Sequence, residues 1–178
     1  MNFSADMAAG ILMASLLMVA AWSDVRSFRI PNAVSLGGAL IGIIISGFQH
    51  GVHGVLLAAA GWAVGLTALM PLYFLRAMGA GDVKLLAMTG AFLGFPSVLG
   101  AIASTLIAGG VFALSVSALR GKLSETVDNV SVFAFRTMMP GKGNTLAQVV
   151  SETPVSGHLP YAVPILAGTM TWWVLQLV

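Results

Sequence analysis

The chain has 178 residues, of which 58% are hydrophobic and only 8% charged, with a net charge of +2 and a mean hydropathy of +0.95. Soluble domains carry about 25% charged residues, so this composition excludes a disordered chain, a nucleic-acid binder and an ordinary cytosolic domain. Cysteine is absent and the three histidines are scattered, which removes a disulfide framework, a cysteine nucleophile and a thiolate or zinc site, and no metal or cofactor is expected.

The first predicted element is an apolar helix over 6–23. No basic residue precedes it and no convincing cleavage site follows it, so it reads as a retained span and not as a signal peptide. A bilayer core of ~30 Å takes about 20 apolar residues in a helix. The charge-free run 30–75 therefore holds two helices, 33–49 and 53–75, parted by Gln49-His50-Gly51-Val52-His53-Gly54. Within it, Gly38-x-x-x-Gly42 and Gly61-x-x-x-Gly65 permit close helix approach. The run 85–119 would be ~50 Å long as a single helix. Gly94-Phe95-Pro96-Ser97 is predicted to divide it into spans 82–95 and 97–119. Residues 120–158 form the one sizeable loop. In it Leu123, Val127, Val130 and Ala134 recur at helical spacing before Pro140-Gly141. That pattern suits a helix lying on the membrane surface, or a flap or docking surface for a partner. A last span covers 159–178. The expected fold is all-α: a polytopic integral membrane protein of about six transmembrane helices in one domain, 1–178.

Orientation follows from lysine and arginine. All eight basic residues (Arg26, Arg29, Arg76, Lys84, Arg120, Lys122, Arg136, Lys142) fall on one side of a six-span chain. That side is the cytoplasm, with loops 24–32, 76–82 and 120–158, and both termini lie outside.

Two aspartates fall at the same cytoplasmic face. Asp24 follows the first span and Asp82 opens the fourth. Ionisable groups at membrane depth are functional candidates by default. Singly, each has a plainer explanation: Asp24 as an interfacial partner of Arg26 or Arg29, Asp82 as a carboxylate at the positive end of its helix. As a pair they suit acid–base chemistry, because two close carboxylates cannot both ionise cheaply and can share a proton. One then serves as general base on water and the other as general acid. The glycines of Gly79-Ala80-Gly81-Asp82 leave bare backbone that an extended peptide could approach, or simply a flexible entry to a helix. Lys84 reads as a snorkelling interfacial residue, with tuning of the carboxylates as the alternative.

The strings SDVRSFRIPNAVS and MGAGDVKLLAMTGAFLG together resemble the type IV prepilin peptidases, membrane aspartic proteases of the Gly-x-Gly-Asp type. LPYAVPILAG near the end is similar to that family's closing Pro-Tyr segment, here Pro160-Tyr161. The resemblance implies that Asp24 and Asp82 are catalytic and that Gly79, Ala80 and Gly81 border the substrate. It also implies that the substrates are membrane-anchored prepilins, cleaved at the cytoplasmic face of the bacterial inner membrane. Larger members carry a cytoplasmic insertion with paired CxxC motifs, associated with N-methylation. This chain has no cysteine and is similar to the short peptidases of tight-adherence (Flp) pilus systems, so the resemblance implies cleavage without methyl transfer. Two other classes use some of the same features. A proton-coupled transporter would place its carboxylates at the midplane in repeated halves. A non-catalytic subunit of a secretion assembly would not need the aspartate pair.

Overall fold

The computed structural model describes residues 3–74, 78–119, 121 and 160–177. They form five helices: α1 (Phe3–Ser27), α2 (Asn32–Phe74), α3 (Ala80–Leu93), α4 (Ser97–Leu119) and α5 (Ala162–Leu177). There is no strand among the described residues. The surface helix expected between Leu123 and Ala134 lies outside them.

The expected break near residue 51 is present. Gly51 sits at φ 63°, ψ −150°, inside what is otherwise a 43-residue helix. Glycine populates this positive-φ region without the steric penalty a Cβ brings. The helix reverses there, as its contacts with α3 establish. In the first arm, Gly38 faces Met88 and Gly42 faces Ala91 and Phe92, so that arm runs parallel to α3. In the second, Gly61 faces Gly90 and Gly94 while Gly65 faces Leu86 and Ala87, so that arm runs antiparallel. The two arms grip α3 from either side.

The division at Gly94–Ser97 is also present. α3 stops at Leu93, and Gly94 follows at φ 69°. The Gly94 N–H donates to Gly90 O at 2.8 Å, and the Phe95 N–H crosses to Leu57 O on α2 at 3.0 Å. Those bonds satisfy main-chain donors just past the helix end.

The packing is that of a membrane bundle. Large apolar side chains such as Ile11, Leu40, Leu56 and Ile107 point outward and are exposed. The helix crossings instead bury small residues, including Gly38, Gly42, Ala58, Gly61 and Gly65 on α2 and Ala87, Gly90 and Ala91 on α3. Lipid tails are as apolar as leucine, so association relies on close approach of small residues. A core of Met13, Leu17, Leu69, Leu85, Leu86, Met88 and Ile165 fills the centre. α3 lies at the middle of it, touching every other helix.

By length and composition, three helices can cross a membrane: α1 over Asp6–Ser27, α2 and α4. α3 has the 14 residues expected at 82–95 but starts two residues earlier, and α5 with 16 is shorter than the span expected at 159–178. At 1.5 Å per residue they reach only ~21 and ~24 Å. Protein surrounds most of α3, whose buried residues fall between Asp82 and Ala91.

The bundle has two distinct ends. One gathers the end of α1, the starts of α2, α3 and α5, and the end of α4. The other holds the Gly51 reversal, the Gly94–Ser97 turn and the end of α5, where Gln176 Nε2 donates to Ser97 Oγ at 3.0 Å. Near that second end, Gly10 of α1 lies against the ring of Trp173.

Candidate active site

Asp24 lies in the last turn of α1, which runs on to Ser27, three residues beyond the carboxylate. Phe28 then takes a left-handed conformation at φ 51°, its N–H donating to Asp24 O at 2.8 Å. The chain turns back at once, held by the Ser23 hydroxyl donating to Arg29 O at 2.8 Å. This short return brings Ile30 against the entrance of α3, where it packs on Gly81.

Asp82 occupies the third position of α3. Its Oδ2 accepts the N–H of Gly79 at 3.1 Å, while its own N–H donates to Gly79 O at 3.2 Å. The carboxylate thus satisfies a donor ahead of its own helix, the usual service of an acidic residue in a first turn. Gly79 itself is extended at φ −77°, ψ 152°, a conformation open to any residue.

Both aspartates are largely enclosed, Asp24 at 7% and Asp82 at 8% exposure. They lie close enough for the charge on Asp24 to act on Asp82. Among the described residues, the partner of the Asp24 carboxylate is not Arg26 or Arg29. Its Oδ2 accepts the main-chain N–H of Ala162, at the start of α5, at 3.1 Å. The neighbouring Tyr161 is half-buried and within electrostatic reach of Asp82. Three elements therefore meet at the pair: the end of α1, the start of α3 and the start of α5.

The three residues ahead of Asp82 divide in two. Gly79 and Ala80 are exposed, with Gly79 open except on the side of the Asp82 carboxylate. Gly81 is only half-exposed. The place a side chain would take there is filled by Ile30, whose Cβ would lie 3.2 Å from an added Cβ. The bare backbone at Gly81 thus faces the protein's own α1–α2 connection. Lys84 donates from Nζ to Asn32 Oδ1 at 3.1 Å, tying the first turns of α2 and α3 together, a contact beyond simple snorkelling. No group of His, Asp and Glu among the described residues could hold a metal ion.

Sequence reasoning named both aspartates and the glycines. It missed Ile30, Asn32 and Ala162 as parts of the site. Asn32 and Lys84 are 52 positions apart, and no local pattern pairs them. Ala162 contributes only a peptide N–H, which leaves no mark on residue type.

Residues 11–114 match the type IV leader peptidase family. The chain is similar to the prepilin leader peptidase/N-methyltransferase of Myxococcus xanthus (strain DK1622), with 27% identity over 131 residues. That alignment covers 70% of this chain and 39% of the relative, so the chain spans about two fifths of that protein's length. No solved structure matches it. The matched stretch takes in more than half of the chain and contains both Asp24 and Asp82, and on this ground the chain belongs to the type IV leader peptidase family.

Proposed function

We propose that this protein is a membrane aspartic endopeptidase that removes the leader peptide from type IV and Flp prepilins at the cytoplasmic face of the bacterial inner membrane. The observation that carries this reading is the pair of enclosed carboxylates, Asp24 and Asp82, brought within each other's field from two helices. One, ionised, takes a proton from water as the oxygen attacks the scissile carbonyl. The other, protonated, donates to the developing oxyanion. As the tetrahedral species collapses, a hydroxyl proton returns to the aspartate that donated it, and the aspartate holding the proton from water passes that proton to the departing amine. The pair acts as one titrating unit, so the two roles belong to the dyad. No covalent intermediate is required. The apolar helix of the substrate packs beside the bundle in the bilayer, and its leader reaches the pair along the exposed Gly79-Ala80 backbone.

The direct test is incubation of the purified protein with prepilins and a methyl donor, with mass measurement of the new N-terminus. A shortened pilin with a free, unmethylated amine is expected, since the chain carries no cysteine with which to build paired CxxC motifs. Intact precursor throughout would rule out the peptidase reading, and a methylated product would rule out the second half of it.

The charge asymmetry supports a six-span arrangement: α1, the two arms of α2, α3, α4 and α5, with both termini outside. Because the chain has no native cysteine, single cysteines report cleanly. One at Val52, which is 78% exposed, should label from the periplasmic side, and one at Lys142 from the cytoplasmic side. Labelling of both from the same side would overturn this topology.

The glycines before Asp82 give a graded expectation. A valine side chain at position 81 would be driven into Ile30, which the short return from α1 holds in place, and the strain passes to Asp82 one residue on. A displacement of ~1 Å in a catalytic arrangement can cost about a hundredfold in rate, so Gly81→Val should cut kcat/KM by about that factor. Gly79→Ala places a Cβ 3.2 Å from Asp82 Oδ2. A carboxylate can rotate away by a few tenths of an ångström, so this loss should be smaller. Near-normal turnover by Gly81→Val would show that the Ile30 contact does not hold Asp82.

A further inference from the structure

We propose that the peptide N–H of Ala162 is a positioning group for Asp24, so that the last helix completes the catalytic pair. The inference rests on the reading of Asp24 and Asp82 as that pair. The bond runs from Ala162 N to Asp24 Oδ2 at 3.1 Å, is buried, and joins residues 138 apart in sequence. Ala162 is fully enclosed at 0% exposure, so water cannot replace Asp24 as the acceptor of its N–H.

The donor is available for a physical reason. The first N–H groups of a helix have no acceptor within it. At the start of α5, the Val163 N–H donates to Pro160 O at 3.3 Å and the Ile165 N–H to Tyr161 O at 3.2 Å. The Ala162 N–H is left over and would be a buried orphan without Asp24. The carboxylate also meets the positive end of the α5 dipole. A charge-assisted bond of this kind fixes the orientation of the acceptor as well as stabilising it.

Asp82 is held in a matching way. Its Oδ2 takes the Gly79 N–H at 3.1 Å. Each aspartate therefore has one oxygen anchored by main chain, and the second oxygen of each takes no further hydrogen bond among the described residues. Two anchored carboxylates keep a fixed relation to one another, which proton sharing between them requires.

The test removes the N–H in two ways with different side effects. Lactic acid in place of alanine at 162 converts the peptide bond to an ester and keeps the methyl group. It also weakens Tyr161 O as an acceptor for Ile165. Ala162→Pro keeps Tyr161 O as an amide acceptor and enters at the first helical position, where proline is tolerated, but it alters the side chain. The loss of the N–H is common to both. Ala162→Gly retains the N–H and serves as the control. Both N–H-deficient variants should lose about tenfold to a hundredfold in kcat, the range expected for a bond to a charged group. KM for the prepilin should stay close to that of the Gly variant, while the midpoint of thermal unfolding falls with the lost bond, so kcat is taken per folded molecule. A KM rise or a lowered midpoint with kcat per folded molecule intact would mean a structural role only and would overturn the inference. Asp24→Asn assayed in parallel separates the two levels. If it is inactive while the ester and proline variants turn over normally, the role of Ala162 fails alone. If Asp24→Asn itself cleaves normally, the catalytic reading beneath it fails.

Discussion

Asp24→Asn and Asp82→Asn are each expected to abolish leader cleavage while leaving the protein folded in the membrane. Asparagine keeps the size of aspartate and an acceptor oxygen. The amide side chain at position 24 can therefore still receive the Ala162 N–H, and the one at position 82 the Gly79 N–H, bonds that the native carboxylates make at 3.1 Å. What asparagine lacks is the ability to be a carboxylate at one step and a carboxylic acid at the next. General acid–base catalysis contributes about 10²–10⁴-fold, and the loss in kcat should be at least of that order for either variant. The double variant should be scarcely worse than either single one, because groups that act as a unit are strongly non-additive. Asp6→Asn is the internal control. It lies in the first turn of α1, 18 residues before Asp24, or about 27 Å along the helix, and should cleave normally. Prepilin turnover in detergent or liposomes, normalised to folded protein, measures all four. Substantial activity in either single variant would place the chemistry elsewhere.

Much of the fold was legible because a membrane chain writes its helices in its charges. The clusters at Asp24–Arg29, Arg76–Lys84 and beyond Arg120 separate apolar runs, and the helices found follow those runs. The breaks at Gln49–Gly54 and Gly94–Ser97 were readable from a polar interruption and a proline, and each proves to contain a glycine at positive φ, Gly51 and Gly94. The true extent of α5 was less legible. An apolar run records how much chain is hydrophobic, not whether lipid or protein surrounds it. α3 is apolar because it is enclosed by the bundle. At the site, the aspartates stood out because charge is rare in this chain. The groups that hold them did not. Ile30 behind Gly81 is an ordinary apolar contact, the bond between Lys84 and Asn32 spans 52 residues, and the Ala162 donor is main chain. Each depends on tertiary proximity, which no local spacing encodes.

Gly61→Ala and Gly90→Ala are expected to be among the most destabilising single-methyl additions in the described bundle. A Cβ on Gly61 would strike Gly90 O, with the Gly94 main chain 2.9 Å away, and a Cβ on Gly90 would strike Gly61 O in return. At Gly65, one turn along, the nearest atom would be Leu86 O at 2.7 Å. Every first neighbour is backbone, so no rotamer change can relieve the clash and the helices must separate. Separation costs dispersion contacts along the whole crossing, since a gap of 0.5–1 Å already forfeits about a quarter to a half of each contact. Overpacking typically costs about 1–3 kcal/mol, and these sites should fall at or above the upper end. The effect should not be local, because α3 is the helix that all the others touch. Gly37 and Gly110 have nothing within 4 Å of an added Cβ. Alanine there should leave stability unchanged or raise it slightly through helix propensity. The pair Gly61→Ala/Gly90→Ala should cost less than the sum of its parts, since both methyls open the same crossing. Asp82 lies eight residues from Gly90, or about 12 Å along α3. Turnover per folded molecule should accordingly fall less than stability does. Thermal unfolding in detergent, read beside prepilin cleavage, separates the two effects. A Gly61→Ala protein that melts with the wild type would mean that α2 and α3 do not meet backbone to backbone, and the central place of α3 would have to be given up.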